Sequence, residues 1–141
     1  MLKTNITILL SILIYVVASI INFSAYFKGY MPTPFQFSFS ILCILLWTLF
    51  SFYSGYKKEL RYLKFCSLFL GIGLLLFVLG YVTDFFLMGI FSVFIVHGAL
   101  YGLRYVLGMP SDIFLVILNA FIAYVFILIG FLIGKTCSGR R

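Results

Sequence analysis

Long apolar runs, without alternation of polar and apolar positions, make up most of this chain, and the few polar stretches fall between them. A barrel strand needs only about 10 residues of alternating polarity, whereas a helical span needs about 20 consecutive apolar ones. The runs here are of the second kind and apolar on all faces, so they predict helices. Four are expected, over about 6–27, 37–56, 65–83 and 113–134, within a single polytopic domain of residues 1–141. The first is stopped by KGYMPTPF, in which Pro32 and Pro34 force an extended turn. KKELRYLK, the densest charge in the chain, separates the second from the third, and the fourth ends in KTCSGRR.

Residues 85–108 are the ambiguous part. FFLMGIFSVFIVHGALYGL is long enough to span, which would give five helices. Charge decides between the two counts, because short cytoplasmic loops are enriched in Lys and Arg. With four spans and the N-terminus inside, Lys3, Lys57, Lys58, Arg61, Lys64, Lys135, Arg140 and Arg141 are cytoplasmic, and only Lys28 and Arg104 are outside. Five spans turn that eight-to-two split into six to four. The expected fold is therefore an all-α integral membrane protein, a four-helix bundle with both termini cytoplasmic. Residues 85–108 then form an embedded or interfacial helix on the outer side, stopped at Gly108–Pro110. The plasma membrane is the expected location.

Composition changes the picture by exclusion. Of 141 residues 65% are hydrophobic and 9% charged, with mean hydropathy +1.24, whereas a soluble domain carries about 25% charged residues. A signal-peptide reading of the N-terminus is disfavoured, since the apolar stretch is long for an h-region and no A-x-A pattern follows. Cys43, Cys66 and Cys137 contain no C-x-x-C and imply neither a disulfide framework nor a redox pair. The sequons at Asn5 and Asn22 lie against or inside the first span and are not credible glycan sites. Net charge +7 is divided among short loops, so no nucleic-acid partner is expected.

Packing signals are more informative. Gly98 and Gly102, like Gly130 and Gly134, are four apart, a spacing that lets a second helix backbone approach. In the last span Asn119, Ala123, Gly130 and Gly134 form one seam, with Asn119 able to hydrogen-bond across helices. Contacts within the bundle are expected there, rather than a dimer seam. Tyr26, Phe27, Tyr30 and Phe35 at one edge, and Tyr53, Tyr56 and Tyr62 at the other, resemble interfacial belts. Lys57, Lys58, Arg61 and Lys64, read as one side of a short helical stretch, would attract anionic lipid head groups at the cytoplasmic face.

Candidate chemistry is sparse. His97 is the only histidine. If residues 96–107 are helical, His97, Tyr101 and Arg104 share one face. Asp84 and Asp112 are then within reach of Arg104, and Ser111 or Asp112 caps the last span. Turn-making and anchoring account for this cluster without catalysis. No metal-spaced His/Cys set, Walker loop, H-E-x-x-H or G-x-S-x-G is present, and neither metal nor cofactor is expected. The span interiors hold no Asp, Glu or Lys, which argues against a proton-coupled transporter. Small multidrug exporters share this length but rely on a glutamate in the first span, absent here. GALYGLRY is superficially similar to the glycine-and-arginine signature of small fluoride channels. That signature lies near the N-terminus beside a T-T-F-S stretch this chain lacks, so no family is assigned.

Three functions remain open. The leading expectation is a non-enzymatic accessory, regulatory or immunity-type factor acting through helix contacts with another membrane protein or with itself. The second is an oligomeric pore or small transporter. The third is a membrane-embedded enzyme acting on a lipid head group, with His97 as base and Arg104 binding phosphate.

Overall fold

The computed structural model describes residues 2–84, 98–110 and 113–139. Regular elements among the described residues are all helical: α1 (Leu2–Phe27), α2 (Pro34–Tyr56), α3 (Arg61–Thr83), a 3-10 turn (Tyr101–Leu103) running into α4 (Arg104–Leu107), and α5 (Ile113–Gly139). Four of them, α1, α2, α3 and α5, are long and apolar enough to cross a membrane. At 1.5 Å rise per residue they are roughly 35–40 Å long, which exceeds the ~30 Å of a hydrocarbon core.

Helix ends differ from the expected ones for local reasons. Helix α2 starts at Pro34 because a capping box precedes it: the Gln36 amide donates to Thr33 Oγ1 at 3.3 Å, and the Thr33 amide donates to Gln36 Oε1 at 2.9 Å. Pro34, at the first helical position, loses no bond there. Helix α3 starts at Arg61, so half of the charged stretch is helical, and the turn before it is closed by Lys58 with φ 56°. The four cations therefore do not form one side of a helix: Lys57 and Lys58 belong to the turn, Arg61 and Lys64 to the first turn of α3. All four are exposed. Helix α5 continues past Gly134 to Gly139.

Two hydrogen-bonded junctions fix the arrangement. Thr4 of α1 donates to the Glu59 carboxylate in the α2–α3 turn, and the Ser54 hydroxyl donates to the Glu59 carbonyl. The start of α1, the end of α2 and the start of α3 thus share one end of the bundle. The end of α5 is there too, since a methyl group built on Gly55 would strike the Phe131 carbonyl and come within 3.1 Å of the Lys135 amide nitrogen. Helices α2 and α5 consequently run parallel and form the most extensive helix pair. A methyl group on Gly130 would lie 2.5 Å from the Thr48 carbonyl oxygen, and one on Gly134 would strike that of Phe52. Only bare backbone admits so close an approach.

Polar and apolar side chains are distributed inside out. Ser11, Asn22, Ser40, Ser51 and Asn119 are fully buried, while Leu9, Ile20, Val82 and Phe114 are among the most exposed. Tyr62, grouped with an interfacial belt on sequence, is buried with its hydroxyl 2.9 Å from that of Ser11. Beside it, Trp47 Nε1 donates to the Ser11 carbonyl at 3.1 Å. An apolar exterior over a hydrogen-bonded interior is the pattern expected where lipid is the solvent.

Candidate functional site

The most polar part of the interior is the place where residues 98–104 enter the bundle. Three side chains on three helices hold this segment by its backbone. Asn22 Nδ2 of α1 donates to the Ala99 carbonyl at 3.2 Å, and also to the Ala18 carbonyl and to Ser40 Oγ. Ser40 of α2 donates to the same Ala99 carbonyl at 2.7 Å and accepts from the Gly102 amide at 3.1 Å. Asn119 Nδ2 of α5 donates to the Leu100 carbonyl at 3.3 Å. Each anchor lies five or six residues in from the end of its helix on this side of the bundle, a depth of about 8–9 Å. Irregular backbone at that depth needs such partners, because an unpaired buried amide or carbonyl costs about 1–3 kcal/mol.

Glycine decides how closely the segment seats. A methyl group on Gly102 would lie 2.5 Å from Ser40 Oγ and would strike the Gln36 carbonyl. Gly98, Ala99, Leu100, Tyr101 and Leu103 are buried alongside. The segment is not the α-helix expected over 96–107: residues 98–100 form a turn and 101–103 a 3-10 turn, with only Arg104–Leu107 α-helical. Gly98 and Gly102 are therefore not a helical packing face. The reason is tertiary, since Asn22, Ser40 and Asn119, 19 to 77 residues away in sequence, bond the Ala99 and Leu100 carbonyls and the Gly102 amide in competition with i-to-i+4 bonding. At its far end Gly108 takes φ 61° and its amide bonds the Arg104 carbonyl, which closes α4.

Arg104 closes the same end of the bundle from the outside. Its Nη1 donates to the carbonyls of Gly29 at 3.0 Å and Tyr30 at 3.2 Å, and to the Tyr101 hydroxyl; Nε donates to the Met109 carbonyl at 2.8 Å. Tyr101 is buried, donates to the Tyr30 carbonyl at 3.0 Å, and meets the Tyr26 ring edge-on at 5.2 Å. Arg104 is thus held by the carbonyls that follow α1, where a helix end favours a cation, and it bonds no acidic residue among the described ones. Asp84, exposed beyond α3 with φ 52°, accepts no bond from it. His97 and Asp112, and the cap expected from Ser111 or Asp112, lie outside the described residues.

The remaining expected positions are buried on α5: Asn119 in the clamp, Ala123 in the central core, Gly130 and Gly134 against α2. Sequence reasoning missed Asn22, Ser40, Tyr62 and Glu59 as partners. A signal existed for the first: Thr4, Ser11, Tyr15, Ser19 and Asn22 all fall on the buried face of α1, a polar line that helical spacing exposes. Chemically the clamp has little to spare. Asn22 Oδ1 and Ser19 Oγ are its buried atoms without a partner among the described residues. The nearby cavity, bounded by Tyr15, Cys43, Ile44, Trp47, Leu100, Ala123 and Ile127, measures about 10 Å³, room for a single water. Comparison with protein-family models, curated proteins and solved structures finds no match to this chain.

Proposed function

We propose that the chain is a multi-pass integral membrane protein of four spans, with both termini cytoplasmic in the plasma membrane and residues 85–108 embedded at the outer side. In this reading it acts as an accessory, regulatory or immunity-type factor, through helix contacts with another membrane protein or a second copy. The observation that carries it is the use of the interior polar groups. Asn22, Ser40, Ser51, Trp47 and Asn119 each spend their donors on the chain's own backbone carbonyls. Such groups hold a fold and leave little to bind or transform a substrate. What remains for interaction is the exterior: exposed helix faces, and the cations Lys57, Lys58, Arg61 and Lys64, each contributing about 1 kcal/mol of attraction to an anionic leaflet.

The test is crosslinking in intact cells, followed by purification of the tagged full-length chain in mild detergent and mass spectrometry of what it carries. A membrane protein or a second copy, crosslinked from exposed helix positions such as Leu68 or Phe114, is the expected result. The reading is overturned if the purified chain alone, reconstituted in liposomes, transports a solute or converts a lipid.

A further inference from the structure

We propose that the end of the bundle where α2 and α5 finish binds a phospholipid that carries two phosphates, held by Lys57, Lys58 and Lys135 with Arg61 and Lys64 alongside. The inference deepens the reading above, and rests on its membrane location but not on its orientation or its partner. Tertiary structure assembles the group. The Lys58 amide donates to the Gly55 carbonyl at 2.9 Å, and a methyl group on Gly55 would come within 3.1 Å of the Lys135 amide nitrogen. The close approach of α2 and α5 thus puts lysines from opposite halves of the sequence beside one glycine. Arg61 and Lys64 follow in the first turn of α3, and all five cations are exposed.

Charge at this end is not balanced by the chain itself. Among the five cations stands one carboxylate, Glu59, which accepts from Thr4. The two other acids of the sequence adjoin the far ends of the helices: Asp84 follows Thr83 of α3, and Asp112 precedes Ile113 of α5. From Arg61 to Thr83, and from Ile113 to Lys135, is about 33 Å of helix, several screening lengths at physiological salt. Helix ends add nothing net, since α1 and α3 begin here, α2 and α5 finish here, and their half-charges cancel in pairs. Five cations and one carboxylate therefore leave four positive charges. Lys57 Nζ lies 5.9 Å from the centre of the Tyr53 ring and 6.0 Å from that of Tyr56, rings of the type that settle at head-group level. Exposed Phe52 on α2, and Leu132 and Ile133 on α5, come just before the lysines and offer apolar surface to acyl chains. Clusters of basic residues beside a span recognise anionic lipid. Two phosphates in one molecule are favoured over two singly charged lipids, because the second contact is intramolecular once the first is made.

The experiment titrates the full-length chain in mild detergent with cardiolipin, phosphatidylglycerol or inorganic pyrophosphate, read by native mass spectrometry and by thermal unfolding. Phosphatidylglycerol carries one phosphate of the kind that cardiolipin carries twice, and pyrophosphate has the charge without the acyl chains. Cardiolipin should bind one to one, raise the unfolding temperature, and bind about tenfold or more tighter than phosphatidylglycerol. Lys135→Gln and Lys58→Asn should each weaken it about fivefold without lowering the stability of the lipid-free chain. Asparagine suits the left-handed backbone of Lys58, φ 56°. Lys28→Gln, at the far end, should bind like the wild type. The proposal is overturned if phosphatidylglycerol binds as tightly as cardiolipin, which leaves only a general attraction to the leaflet, or if pyrophosphate does, which makes the ligand a soluble anion. It is equally overturned if Lys135→Gln and Lys58→Asn bind cardiolipin like the wild type, or if Lys28→Gln loses as much affinity as they do. Alkaline extraction of native membranes tests the membrane reading separately. Chain released into the supernatant refutes that reading, whereas chain that stays in the membrane and shows no preference for cardiolipin refutes only the lipid site.

Discussion

Three hydrogen bonds meet at the Ser40 hydroxyl, which donates to the Ala99 carbonyl and accepts from Asn22 Nδ2 and the Gly102 amide. Replacing it with alanine leaves the Gly102 amide unpaired in a fully buried place, while Ala99 keeps its bond from Asn22. The cost should be about 1–3 kcal/mol, nearer the lower value if the membrane-unfolded state finds other partners, as polar groups in bilayers do. Chemical unfolding of Ser40→Ala in mixed micelles measures it, and a loss below about 0.3 kcal/mol would mean that the clamp does not hold the segment. Little at this scale was legible in advance. Asn22 was visible as a polar residue in an apolar span and as a discarded sequon, but its partner lies 77 residues away. Arg104 was recognisable as an anchor, but its bonds to the Gly29, Tyr30 and Met109 carbonyls and to the Tyr101 hydroxyl were not.

Helices α2 and α5 pack where both backbones are bare. Gly130→Leu would force four carbons into the space occupied by the Thr48 carbonyl, whose own helix cannot shift without losing its contacts at Gly55 and Gly134. Loss of at least about 2 kcal/mol is expected, larger than ordinary overpacking because the obstacle is backbone. Gly71→Leu is the matched control, since nothing lies within 4 Å of its position; there stability should hold or rise, glycine being about 1 kcal/mol poorer than alanine or leucine in a helix. Unfolding temperatures of the two variants in one detergent check the contrast. Equal temperatures would show that α2 and α5 are not in contact at Gly130. The glycine spacing was readable from sequence, but which helix it faced was not, because spacing defines a face and not the neighbour on it.

For the whole molecule the distribution of charge has a direct consequence. Lys57, Lys58, Arg61, Lys64 and Lys135 gather at one end, Lys28 and Arg104 at the other. If the basic end is cytoplasmic, exposed Cys137 on α5 should be protected in intact cells from an impermeant thiol reagent. Met31→Cys, introduced with Cys137→Ser, should react. Cys43 and Cys66 are buried and contribute no background. Labelling of Cys137 from outside would reverse the orientation.

The sequence by itself determined that the described elements are helical and that four of them have the length and apolarity of membrane spans. Run length, proline and glycine punctuation and clustered charge are local properties, written in consecutive residues. Several helix ends extend beyond those runs, α1 and α2 starting earlier, α3 starting inside KKELRYLK and α5 continuing past Gly134, because propagating an existing helix by a turn costs little. Tertiary structure alone decided that Glu59 ties α1 to the α2–α3 turn, and that Tyr62 turns inward to Ser11. It alone decided that residues 98–103 leave the α-helical path to be held by Asn22, Ser40 and Asn119. Those outcomes depend on pairs 19 to 77 residues apart. Inside an apolar bundle each buried polar group must find a partner, and which partner it finds is set by the faces that pack together, a property no single stretch of sequence contains.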